Sequence, residues 1–302
     1  MNDFPEFIKA KENHIGINQQ NTEDIDVYYF EGIDGVKIYY RKFLPTVEPR
    51  AILLIIQGSG GGKLDDYYHF AKKLNFKGYA VIKVDERGTG CSEGARGDIK
   101  NYDTVINDYI NLVDKLTIEN KGKNLFLLGH SFGGVVATRL SFELKDKVSG
   151  LVLLNPMFGY SKEYGPSVWD IVFFIYCMVF QSSKAVYNIA GDLNRIKYLP
   201  DKEEASKNSI DPRIVKNFSV RYLMTTKKII DQSEYYTKYN NIPLLLIRGE
   251  RDDFVDKEKT AKIFKMWPHV NKHEVIIENA GHGVYTVNLT TKEVIGWLEF
   301  LV

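Results

Sequence analysis

The sequence predicts an α/β fold: a mostly parallel sheet behind an N-terminal antiparallel hairpin, with helices on both faces and one long helical insertion. Three observations predict it. Continuous apolar runs alternate with amphipathic stretches, as in strand–helix units whose strands are covered on both faces. A short-turn signal, Asp34-Gly35, separates Asp26–Phe30 from Val36–Tyr40, which reads as a hairpin. The alternation then lapses between residues 157 and 241 and resumes afterwards.

The elements follow in order. Ala51–Ile56 is continuously apolar and reads as a buried strand. A helix over Tyr67–Phe76 ends at Gly78 and leads into the strand Tyr79–Val84. Tyr102–Thr117 carries Val105, Tyr109, Leu112, Val113 and Leu116 at three- and four-residue spacing, the period of an amphipathic helix. The strand Asn124–Leu128 runs into a helix from Phe132 to about Glu143, and Gly150–Leu154 is another buried strand. After the insertion come the strand Pro243–Ile247, the helix Lys257–Met266, the strand His273–Ile277 and a closing helix from about Leu289 to Leu301. The expected division is a core of residues 1–156 and 242–302 and a helical cap at 157–241.

Composition bounds the function. A chain of 302 residues with 44% hydrophobic residues can bury one large core with an insertion. Lys and Arg number 40 against 39 Asp and Glu, so no charge asymmetry points to nucleic acid or an anionic membrane. Met1–Glu6 lacks the basic start and apolar stretch of a signal peptide. The two cysteines, Cys91 and Cys177, are too few for a disulfide scaffold or a zinc site. A cytoplasmic protein with reduced thiols, and without metal or organic cofactor, is expected.

The segment richest in chemistry is Gly129-His130-Ser131-Phe132-Gly133-Gly134. A strand running into Gly-x-Ser-x-Gly has the form of a nucleophile elbow, in which a tight turn presents the serine at the start of a helix. That helix aims its free N–H groups and its dipole at charge developing on a substrate. Gly88-Thr89-Gly90 lacks the third glycine of a dinucleotide fingerprint, and Gln57 stands where a phosphate-binding loop has its first glycine.

Four segments carry a resemblance over most of the chain: Ile56–Gly61, Asp85–Ser92, the elbow at Ser131, and Gly249-Glu250-Arg251-Asp252 with Ala280-Gly281-His282. On these the chain resembles the α/β-hydrolases, and within them the monoacylglycerol lipase, lysophospholipase and serine aminopeptidase-like group. The resemblance implies a serine, acid, histidine order, kept here by Ser131, Asp252 and His282. His14, His69 and His130 come too early for the base, and His269 and His273 precede the last strand. Asp252, Asp253 and Asp256 all follow one strand; the family spacing Gly-x-x-Asp selects Asp252, and Asp256 reads as a helix cap. The oxyanion donors implied are the N–H of Phe132 and, with Gln57-Gly58 replacing the family's His-Gly, the N–H of Ser59. Arg87 and Ser92 read as structural. Serine at 131 departs from dehalogenases and epoxide hydrolases of this fold, which carry aspartate there.

The insertion is expected to set the substrate. Ile171–Phe180 is unbroken apolar sequence, too short to span a bilayer, and reads as a buried cap helix or as a lid helix lining an acyl pocket. Gly58, His130, Phe173 and Phe174 are the expected substrate-binding residues. The implied activity is hydrolysis of a small-molecule carboxylic ester with an apolar acyl chain, with transient lipid contact through the cap. The competing readings are an aminopeptidase of the proline-iminopeptidase kind, for which Glu203, Glu204 and Glu234 are candidate cap carboxylates, and a non-catalytic ligand-binding protein.

Overall fold

The computed structural model describes residues 25–62, 66–161, 176–178, 180–188 and 196–302. An eight-stranded sheet runs through it in the order β1-β2-β4-β3-β5-β6-β9-β10. The strands are β1 (Ile25–Glu31), β2 (Lys37–Phe43), β3 (Ala51–Ile56), β4 (Tyr79–Val84), β5 (Asn124–His130), β6 (Gly150–Leu154), β9 (Leu244–Gly249) and β10 (Lys272–Ile277). β1 pairs antiparallel with β2, and β2 with β4; every pairing from β4 to β10 is parallel. The expected hairpin forms, closed by a 3-10 turn at Ile33–Gly35.

Alternation along the strands divides the core into two layers. Ile52, Leu54 and Ile56 of β3 face one cluster, with Leu125 and Leu127, Leu151 and Leu153, and Leu244 and Leu246 from neighbouring strands. Leu53 and Ile55 face the other, with Phe126 and Leu128, Val152 and Leu154, and Leu245 and Ile247. Successive side chains of a strand point to opposite faces, so a strand buried on both sides must be apolar throughout. The first layer is covered by α2 (Tyr102–Glu119), α3 (Phe132–Glu143) and α7 (Lys257–Met266), and the second by α1 (Tyr68–Phe76) and α9 (Thr291–Leu301). The expected closing helix divides: α8 (Tyr285–Leu289) and α9 meet at Thr290, whose hydroxyl donates to the Val287 carbonyl and halts the first helix.

The insertion departs from the expectation of an all-helical cap. β7 (Ala185–Asn188) and β8 (Asn217–Ser219) form a small antiparallel sheet with a register shift between Ala185 and Tyr187. Strands of four and three residues are too short for their alternation to register in sequence. Helix α4 (Leu199–Ile210) lies between them in the chain, while α5 (Val220–Asp231) and α6 (Ser233–Lys238) pack on α3, within the region expected as cap. Of the apolar run 171–180, residues 176–178 and 180 are described: Cys177 is buried, whereas Tyr176 and Phe180 are exposed, so this end of it is two-faced rather than wholly buried. Phe173 and Phe174 lie outside the described residues.

The loop after β4 is fixed as expected. The Arg87 guanidinium pairs with Asp108 and donates to the Ile33 carbonyl, and Ser92 Oγ donates to the Asp85 carbonyl. Beside them Glu86 is buried and accepts from the Tyr102 hydroxyl at 2.8 Å. Burial pushes its carboxyl up to about 7, with Asp108 adding to the rise and the Tyr102 bond opposing it. The folded protein therefore holds a proton here that the unfolded chain loses above its ordinary value, and stability falls as pH rises through 7. Glu86→Gln is expected to match the parent at pH 4 and exceed it by about 2–3 kcal/mol at pH 8, read from denaturant melts at the two pH values.

Candidate active site

The sheet brings the site together at its carboxyl edge. The chain leaves β3 for β4 on one side and returns as β5 on the other, which opens a crevice at the carboxyl ends of β3 and β5. Gln57 and Gly58 follow β3, and Ser131 follows β5. A Cβ on Gly58 would lie 3.1 Å from Ser131 Cβ, a tight approach that requires the serine to give slightly. Gly133 is fixed more severely, because a Cβ would collide with the Ile56 and Gln57 carbonyls.

Ser131 itself has φ 55° and ψ −126°, a strained conformation for a residue with a side chain. Its N–H donates to the Leu154 carbonyl at 3.0 Å, and its own carbonyl accepts from Met157 N at 3.0 Å. These bonds clamp the turn between β6 and the start of α3. Phe132 opens α3, so its N–H has no acceptor within the helix.

The structure brings Ser131, Asp252 and His282 together. His282 Nε2 lies 2.8 Å from Ser131 Oγ, and His282 Nδ1 lies 2.8 Å from Asp252 Oδ2. Asp252 follows β9, is 2% exposed, and its Oδ1 accepts from Phe254 N at 3.0 Å. Burial alone would raise its carboxyl, but the His282 charge and hydrogen bond, with the N–H groups of Phe254 and Val255, bring it below the usual value. Asp253 points elsewhere, toward Lys257 at 3.6 Å, and Asp256 caps α7 by accepting from Lys259 N. Burial lowers the His282 imidazole; the charge and hydrogen bond of Asp252, followed by the charges of Asp201 and Glu204, reverse this and leave it raised.

His130 and Ser59, both expected at the site, line the cavity. His130 Nε2 donates to the His282 carbonyl at 2.9 Å, and Nδ1 faces the Tyr67 hydroxyl at 3.4 Å. Burial, then the neighbouring His282 charge, bring this imidazole down to about 4, so it is neutral near pH 7. Its two ring nitrogens are engaged by the protein itself. Ser59 and Tyr222 both line the cavity.

Sequence reasoning missed three supports of the His282 loop. Asn155, completely buried with φ 44°, accepts from Gly249 N at 2.7 Å and donates to the Gly281 carbonyl at 2.8 Å. Asp201 and Glu204 reach the same loop from α4 and accept backbone N–H groups of residues 282–285. Of the expected cap carboxylates, Glu204 alone is at the site: Glu203 is exposed, and Glu234 pairs with Lys262 at 2.7 Å. A cavity of about 210 Å³ opens over Ser131, walled by Met157, Phe218, Leu223 and Phe254 and edged by Asp66, Asp201 and Glu204. Among the described residues no helix is long and apolar enough to cross a membrane.

The chain is similar to known proteins over most of its length. The chain is 23% identical to mouse monoglyceride lipase over 288 residues, covering 93% of this chain and 92% of that one. It is 27% identical to phospholipase YtpA of Bacillus subtilis over 222 residues, 72% of this chain and 81% of the other. The crystal structure of a soluble variant of monoglyceride lipase from Saccharomyces cerevisiae, in complex with a substrate analog, superposes with a TM-score of 0.79 at 21% identity, covering 93% of this chain and 97% of that one. At that identity the superposition speaks for the fold. The model of the serine aminopeptidase S33 family matches residues 47–286, which include β3, the elbow, the Asp252 loop and His282. The chain belongs to the serine aminopeptidase S33 family and has the α/β-hydrolase fold.

Proposed function

We propose that this chain is a serine hydrolase that cleaves carboxylic esters with an apolar acyl chain, of the monoacylglycerol lipase or lysophospholipase type. The observation that carries the reading is the unbroken hydrogen-bond path from Asp252 through His282 to Ser131 Oγ, with 2.8 Å at each step. Ser131 Oγ attacks the acyl carbon while His282 Nε2 takes its proton. The N–H groups of Phe132 and Ser59 hold the oxyanion of the tetrahedral intermediate. Collapse breaks the ester bond, His282 returns the proton to the leaving alcohol, and water activated by His282 frees Ser131 from the acyl group. Asp252 keeps His282 in the tautomer with Nε2 open to the serine and stabilises the imidazolium.

The apolar wall of the cavity supports an acyl chain as the bound group, as do the lipase and phospholipase names of relatives that span most of the chain. An aminopeptidase is the second reading, since Asp201 and Glu204 reach the cavity and a cap carboxylate is what a free amino terminus requires. Each of their oxygens, however, already accepts a backbone N–H. The test is hydrolysis of p-nitrophenyl esters from acetyl to palmitoyl beside prolyl and alanyl p-nitroanilides, with fluorophosphonate labelling of the same sample. Turnover of medium or long esters and labelling at Ser131 are expected. Turnover of the anilides alone would transfer the assignment to the peptidase, and folded protein without labelling would remove the enzyme reading.

A further inference from the structure

Helix α4 belongs to the insertion, about 80 residues from His282 in sequence, yet two of its carboxylates grip the His282 loop. Asp201 Oδ2 accepts from His282 N at 2.8 Å and Oδ1 from Gly283 N at 2.9 Å. Glu204 Oε1 accepts from Val284 N at 2.7 Å and Oε2 from Tyr285 N at 3.0 Å. Four successive backbone donors thus meet four carboxylate oxygens, one each. The glycines beside the histidine make room for this: a Cβ on Gly281 would collide with the Asp201 carboxylate, and one on Gly283 would approach Glu204 Oε2 to 2.8 Å. Tyr198, just before α4, adds a fifth tie through its hydroxyl to the Asn279 carbonyl.

His282 is consequently held at three points by side chains from three parts of the chain. Asp252 takes Nδ1, His130 takes the main-chain carbonyl, and Asp201 takes the main-chain N–H. We propose that Asp201 and Glu204 are positioning residues, through which α4 holds the backbone of His282 so that Nε2 meets Ser131 Oγ. The proposal rests on the reading of Ser131 and His282 as nucleophile and base. It makes the insertion part of the reacting apparatus as well as a wall of the substrate cavity: one of the three holds on His282 comes from α4.

The charges add a second effect. The groups around His282 and these carboxylates are Asp252, Asp253 and Arg251 from the loop after β9, Lys197 ahead of α4, His130 at the end of β5, and Asp66, Tyr67 and Tyr285 around the cavity. Within this setting Asp201 and Glu204 each favour the imidazolium, so neutralising either should lower the histidine's titration. A purely mechanical fastening would leave that titration where it is.

The experiment compares the full chain with Asp201→Asn and Glu204→Gln, near-isosteric changes that each keep one acceptor, with folding checked by circular dichroism and thermal melting. The His282 imidazole is titrated by NMR, and p-nitrophenyl ester kinetics are recorded against pH. The expected result is a lower His282 titration in both variants, a matching shift of the acid limb of kcat/KM to lower pH, and a fall in kcat of about 10- to 100-fold with KM within twofold. Asp201→Ala, which keeps no acceptor, should fall further than Asp201→Asn. A kcat within twofold of the parent, with the His282 titration also unmoved, in a folded variant overturns the proposal. A parent protein without Ser131-dependent esterase activity would instead defeat the functional reading, and the NMR titration would still decide the role of the two carboxylates.

Discussion

Replacement of Ser131 by alanine is expected to lower kcat on a p-nitrophenyl ester by roughly 10⁶ while leaving the folded protein intact. The size follows from the division of labour at the site. On the proposed mechanism no acyl-enzyme can form without Oγ, and only the proposed oxyanion donors and the cavity remain to help a water attack directly. Stability should change by less than about 0.5 kcal/mol, because alanine at φ 55° carries the same backbone strain as serine, and the bonds to Leu154 and Met157 involve only main-chain atoms. Combining Ser131→Ala with His282→Ala should cost little beyond either change alone, since the base has no role once its partner is gone. Initial rates and melting curves on the three variants check both statements. A residual rate within a hundredfold of the parent would mean that the nucleophile lies elsewhere.

The largest expected loss of stability lies away from the cavity, at Asp85. Its carboxylate receives the Arg41 guanidinium at 3.1 and 3.2 Å, the Lys83 ammonium at 3.7 Å and Cys91 N at 2.9 Å. Arg41, Lys83 and Asp85 are all essentially excluded from water. Burial would raise the Asp85 carboxyl, but the two cations outweigh it and hold the group well below the carboxylate range. Asp85→Ala would strand two buried cations with no counter-charge, and a loss of about 3–5 kcal/mol is expected. Lys83, whose ammonium is already lowered by burial, should then shed its proton, so part of the loss should diminish at high pH. In the parent, the depressed carboxyl contributes stability that is present above its ordinary titration and disappears as pH falls. Urea melts of Asp85→Ala at neutral and alkaline pH test the prediction; a loss under 1 kcal/mol would show that the cluster relaxes or admits water.

What could be read in the sequence was what is encoded locally or in chain order. The buried strands were legible because a strand covered on both faces must be apolar at every position, as Ala51–Ile56 is. Asp256 was legible because a cap acts within four residues. The Ser131, Asp252 and His282 set was what the resemblance to the α/β-hydrolases implied, and each residue comes after a strand and hence at one edge of the sheet. Contacts between distant segments left no such mark. Nothing in Leu199-Pro200-Asp201-Lys202-Glu203-Glu204 distinguishes a solvated first turn from one that accepts the N–H groups of the His282 loop. Asn155 looks like an ordinary strand end until Gly249 and Gly281 are brought beside it. The β7–β8 sheet was hidden because its few residues are held mainly by main-chain bonds, which sequence hardly records.

The separation of 151 residues between Ser131 and His282 has a consequence for the life of the protein before it is complete. At a synthesis rate of about 5–20 residues per second, the elbow leaves the ribosome roughly 8–30 s ahead of the histidine. During that interval β5 and β6 can pair, yet the serine hydroxyl has no proton acceptor, and the edge of β6 that will receive β9 is still bare. On the proposed mechanism, a nascent chain without His282 is therefore unreactive toward esters. On that mechanism reactivity arrives only after β9 and β10 have joined the sheet, so a chain cut before His282 carries a nucleophile that it cannot use.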